Sequence, residues 1–267
     1  MKGIRRFFLL LMCAAVLFSI TACTQDRSRA YDKAIKLFAN ADYAEAAQAF
    51  DKLGDYAQAP TYAAYSHGLV LYEQGQFGAA EPYFAQTRSF MYGEERYQYC
   101  HAHVLMDAGS FAEAASAFRA MGEFEDAPMQ YEYCNARAAE NAKDYETALY
   151  GYEASLGLHD AEDRLYNLQG QIYNRAISLK EAGQYSDAIT LFNMLGSYLS
   201  SAAQAVECQE HLLDQQYDQA DALEASGDLQ AAFDIFYGLS SYRDAADRAH
   251  ALADRLGIKI KTIDDPF

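Results

Sequence analysis

The chain has 267 residues with 22 Tyr, 15 Phe and no Trp, about half of it is hydrophobic, and its formal charge is −17. That length fits one or two domains, and the mildly negative mean hydropathy describes a water-soluble composition built on small residues and aromatics. So acidic a surface repels nucleic-acid phosphates and anionic headgroups, which excludes nucleic acid as a partner and favours basic or neutral ones.

The N-terminus reads as an address. Lys2, Arg5 and Arg6 precede an apolar run from Phe7 to Ile20, suited to a secretory signal and short for a membrane span. It ends Ile20-Thr21-Ala22-Cys23. Ile20 fits poorly in an ordinary A-x-A cleavage site. The tetrapeptide instead resembles the lipobox of bacterial lipoproteins (aliphatic, small, small, Cys). That resemblance implies removal of residues 1–22 and a diacylglyceryl group on Cys23. Two acyl chains suffice for stable anchoring where one is marginal. Residues 23–29 are expected to be the lipidated terminus and a short linker.

From residue 30 to 255 one pattern recurs six times. Its anchors are Tyr43, Phe77, Phe111, Tyr145, Tyr185 and Leu229. Three residues after each anchor stands Ala, and seven after it an aromatic, as in Ala114 and Phe118. Thirteen after it is Tyr56, Phe90, Phe124, Leu158, Tyr198 or Tyr242. Twelve before each anchor is Tyr, nine before it is Ala or Gly, and six before it is usually Leu. Both sets of offsets fall on single helix faces. Gly75, Gly109, Gly183 and Gly227, two before their anchors, are suited to end the first helix of each pair with positive φ. Each unit is therefore expected to be an antiparallel helix pair that buries its apolar face only by stacking.

The first three intervals are 34 residues. With the Gly before the aromatic and the Ala-x-x-x-Phe of Ala46/Phe50 and Ala114/Phe118, the chain resembles a tetratricopeptide repeat array. That resemblance implies an all-α, right-handed solenoid of about six helix-turn-helix repeats, and an adaptor role by fold analogy. The family's Trp is missing, and its late Pro appears only as Pro60 and Pro128, slightly displaced. Pro82 and Arg88 mark the second unit as irregular, with a local departure expected near 82–93. The last two intervals are 40 and 44 residues, and 199–226 reads as one long helix. Residues 242–256 read as a capping helix whose outer face carries Arg243, Asp244, Asp247, Arg248, Asp254 and Arg255. Residues 256–267 read as a tail.

No catalytic or metal-binding pattern emerges, and no cofactor is expected. Cys100, Cys134 and Cys208 are expected to be packing residues rather than a disulfide. The residues four and seven after each recurring Tyr change from unit to unit. Leu69 and Tyr72, His103 and Met106, Arg137, and Ile177 are therefore candidates for a partner-binding groove, although a merely solvated face would vary in the same way. The expected function is a non-catalytic scaffold or adaptor. It would be held outside a bacterial membrane by lipid on Cys23 and bind a protein or peptide of the cell envelope. The alternative is a glycan- or solute-binding lipoprotein, suggested by the abundant Tyr.

Overall fold

Two kinds of turn, each made the same way six times, organise the chain. In the computed structural model residues 25–260 are described, all of them in helices and turns with no strand among the described residues. The first helix, α1, covers residues 25–39. It is followed by α2 (Tyr43–Asp51), α3 (Ala59–Glu73), α4 (Phe77–Gln86), α5 (Gly93–Asp107), α6 (Phe111–Ala120), α7 (Ala127–Ala142) and α8 (Tyr145–Ala154). The remaining helices are α9 (Ala161–Glu181), α10 (Tyr185–Leu195), α11 (Ser201–Ser226), α12 (Leu229–Gly238) and α13 (Ala245–Leu256). The chain divides into two compact units at Ala161/Glu162, whereas the sequence pattern suggests one domain over 30–255. Within each unit, helices adjacent in sequence pack on one another.

Every anchor residue is the first residue of a short even-numbered helix, α2 to α12. The turn before it is a Schellman cap. The residue two before the anchor is left-handed in all six cases, Ala41, Gly75, Gly109, Lys143, Gly183 and Gly227, with φ between 62° and 88°. The next amide donates to the carbonyl five positions back at 2.9–3.0 Å, as from Ser110 to Leu105. Glycine meets this demand at low cost. Ala41 and Lys143 meet it without a glycine.

The second turn lies between each short helix and the following long one. The amide sixteen after each anchor donates to the carbonyl thirteen after it, at 2.8–3.1 Å. The residue between, fourteen after the anchor, is again left-handed: Ala57, Met91, Glu125, His159, Leu199 and Arg243 all have φ of 47–51°. The residue that closes this turn starts the next helix and is small and buried: Ala59, Gly93, Ala127, Ala161, Ser201 and Ala245. Pro60 and Pro128 fall in the first turns of α3 and α7, where a missing N–H costs nothing.

Packing follows the expected columns. The small residues nine before the anchors, the Ala three after and the aromatics seven after are buried, with Ala114 and Phe118 fully so. Truncating such an aromatic to Ala costs about 3–5 kcal/mol. Cys100, Cys134 and Cys208 are buried free thiols, as expected. Burial pushes the Cys100 and Cys134 thiols up to about 12, so they pack rather than react.

Three expectations change. Residues 25–29, read as linker, already belong to α1, because Arg27 ties them down by donating to the Leu53 carbonyl at 2.6 Å and to Asp55 at 2.8 Å. Helix α4 continues through Pro82 to Gln86. The departure is confined to the following turn, where a Cβ on Gly93 would lie 2.0 Å from the Thr87 carbonyl oxygen. Arg248 is not on an outer face. Its guanidinium lies 4.5 Å from the centre of the Phe236 ring and pairs with Asp221 at 2.5 Å and Glu224 at 2.6 Å. The long intervals do resolve into long helices, 21 residues in α9 and 26 in α11. Ile258 and Ile260, assigned to the tail, pack against the α11–α13 core.

Candidate functional site

The recurring Tyr is a structural strut. Its hydroxyl donates to the residue that precedes the next long helix. Tyr99 donates to Asp126, Tyr217 to Asp244, and Tyr133 to Asp160 at 2.6 Å, while the Tyr173 hydroxyl pairs with that of Ser200 at 2.8 Å. Three of these phenols titrate above the usual range, Tyr99 and Tyr133 through burial first and Tyr217 through its carboxylate bond first. A buried hydroxyl needs such a partner, and here the partner also fixes the turn.

The candidate groove residues do not all reach solvent. Leu69 and His103 are buried. The His103 ring stacks on Phe77 at 3.9 Å and meets Phe118 edge-on at 5.1 Å, and its Nε2 has no partner. The aromatic lining explains this inward placement. Arg137 lies 4.0 Å over the Phe111 ring and donates to the Tyr133 hydroxyl at 2.8 Å. Ile177 packs in the α9–α11 core. Met106 is half-buried on α5. Tyr72 is half-buried, and its hydroxyl donates to Glu125 at 2.7 Å. Cys23 lies outside the described residues.

The variation at the position seven after each Tyr is paired with variation on the next long helix. Phe38 meets Tyr62 edge-on at 5.2 Å, and the Arg96 guanidinium lies 5.5 Å from the Tyr72 ring centre. Lys180 donates to Gln204 at 2.8 Å, and Arg248 to Glu224 at 2.6 Å. Residue type changes because each neighbour is different and complementary. Much of the expected groove is therefore contact between adjacent helix pairs.

One place breaks these rules and faces water. In the turn before α5, Met91 is 54% and Tyr92 63% exposed. The residue at the Tyr92 position is Gln58, Asp126, Asp160, Ser200 or Asp244 in the other five turns. Tyr92 cannot accept the strut hydrogen bond as a carboxylate does. Tyr65 is instead reached by Arg96, whose Nη1 donates to its hydroxyl at 3.2 Å. The Arg96 guanidinium faces the rings of Tyr65, Tyr72 and Tyr92 at 5.5–5.9 Å. Met91, Tyr92, Arg96, Tyr72 and Glu125 thus form an exposed aromatic edge with one cation and one anion. Aromatics, Met and Arg are the types enriched where proteins bind one another. The exception was readable in the sequence as the one apolar residue in an otherwise polar column, fifteen after the anchor. That column does not stand out because its neighbour carries no residue signature.

Among the described residues no helix is long and apolar enough to cross a membrane, and no group of three or more His, Cys, Asp or Glu is placed to hold a metal ion. No protein-family model and no curated protein matches the chain.

Proposed function

We propose that the protein is a lipid-anchored scaffold of the bacterial cell envelope. It is a right-handed solenoid of about six tetratricopeptide-like helix pairs that binds a protein or peptide without catalysis. The anchor reading rests on the lipobox ending at Cys23. The solenoid reading rests on six copies of each turn and on consecutive helix packing. The scaffold reading rests on one observation above the others: exposed Tyr92 stands where each of the other five turns has a polar or charged residue. Places where a chain departs from its own local rules tend to serve function.

The partner would meet the Tyr92 face in front of Tyr72 and Arg96. A photo-cross-linking residue in place of Tyr92, in the lipidated protein in cells, is expected to give one discrete adduct that Arg96→Ala abolishes. If a membrane-bound protein gives no adduct at this position, or the same adduct forms from an exposed control position such as Ser116, the scaffold reading at this face fails. The position of the recurring Tyr weighs against the glycan-binding alternative. The recurring Tyr side chains are taken up by the struts and by ring packing.

A further inference from the structure

We propose that the free outer face of the first helix pair rests on an anionic phospholipid surface, so that the acidic remainder of its compact unit is held away from the bilayer. The inference depends on lipidation of Cys23 and adds the orientation that lipidation alone does not fix. Residue 25, two residues after the acylated cysteine, is already helical. Two residues span at most about 7 Å. The first pair is therefore held within about one helix diameter of the headgroups. Helix α3 packs on one side of α1 and α2 through Tyr31, Phe38 and Phe50. The opposite side is an open cleft of about 610 Å³. Its lining includes half-buried Leu37 and Ala49, exposed Lys33 and Lys52, exposed Asp26 and Glu45, and the Arg27 already paired with Asp55.

Charge sets which end approaches the surface. Within the first unit, residues 25–55 carry five Lys or Arg against six Asp or Glu, while residues 56–161 carry 5 against 15. Among the described residues no carboxylate lies within ion-pair distance of Lys33, Lys36 or Lys52, whereas Lys180, Arg243, Arg248 and Arg255 are all paired. An acidic body tethered to an anionic surface turns its least negative end toward that surface. The repulsion of the rest is screened beyond a Debye length of about 8 Å. Each lysine near the headgroups adds about a fivefold preference for this orientation.

The natural chain has no Trp, so a single introduced Trp reports one place. Two variants of the full acylated protein, Gln48→Trp in the cleft lining and Ser116→Trp on α6, are placed on vesicles of phosphatidylglycerol and brominated phosphatidylcholine. The Trp of Gln48→Trp is expected to be quenched and that of Ser116→Trp to keep its emission. Adding Lys33→Glu and Lys52→Glu, or using neutral vesicles, should remove most of the quenching while the protein still floats with the vesicles. Flotation without selective quenching of the Gln48→Trp reporter overturns the orientation and leaves the anchor standing. Such an outcome also fits a second copy or another protein in the cleft. Failure to float, with no lipid label on Cys23, overturns the anchor and the orientation with it.

Discussion

His103 offers a quantitative test of how tightly the first unit is packed. Its ring is buried between Phe77, Tyr99 and Phe118, and Nε2 has no hydrogen-bond partner. Burial drives its pKa down to about 4, with Asp126 opposing and His159 adding to the shift. In the unfolded chain the same imidazole titrates near 6.5. Between these values the unfolded state binds the proton and the folded state does not, so stability falls as pH falls from about 6.5 to about 4. The shift of about 2.5 units makes the loss between pH 7 and pH 5 about 2 kcal/mol. Leu69 occupies the equivalent place in the preceding pair, so His103→Leu is a replacement this fold already accommodates. The variant should gain about 1 kcal/mol at pH 7 by removing an unpartnered buried nitrogen, and its advantage should widen by about 2 kcal/mol at pH 5. Urea unfolding of both proteins at the two pH values measures this, and the carboxylates common to both cancel in the difference. An advantage that stays the same from pH 7 to pH 5 would refute the buried, neutral imidazole.

Gly93→Ala should destabilise by about 1–3 kcal/mol in thermal or urea unfolding, because the new Cβ meets the Thr87 carbonyl. A gain, normal for Gly→Ala in a helix, would contradict the tight turn. Lys143→Gly should stabilise by about 1 kcal/mol by relieving a left-handed lysine, and Gly109→Ala, at the equivalent position, should lose a similar amount. Tyr92→Asp should raise stability by about 1 kcal/mol, since a carboxylate there suits the α5 N-terminus and restores the Tyr65 strut. The same change should abolish capture of the partner, and a variant that is both stabilised and fully binding would separate Tyr92 from function.

The columns legible in sequence were those with one residue type: the anchors, the Ala and aromatic after them, and the Tyr and small residue before them. Their chemistry is unconditional, since only a small residue lets two helices approach and only a large one fills the gap. The second turn was invisible for the opposite reason. Ala57, Met91, Glu125, His159, Leu199 and Arg243 share one backbone conformation and no side-chain property, because the flanking aromatic and the small helix-starting residue impose the geometry. The groove residues misled because their variation has meaning only in pairs. Tyr72 is explained by Arg96, and Glu224 by Arg248. Arg248 looked like an exposed cap residue because its charge suggests water. Its stem and guanidinium cover Phe236 while two carboxylates hold its charge, as long cationic side chains often do. The Tyr92 face was half legible. The irregular second unit was evident from Pro82 and Arg88, but the structure shows that Gly93 and the exposed aromatic edge are what make it different.

The central claim is that an anchored helical scaffold binds its partner through the turn before α5. Quantitative affinity of the lipidated protein for the cross-linked partner, measured for wild type and Tyr92→Asp on the same membranes, tests it most directly. The account predicts that Tyr92→Asp remains membrane-bound, unfolds at a higher temperature and loses binding. Undiminished binding by that stabilised, anchored variant would contradict it.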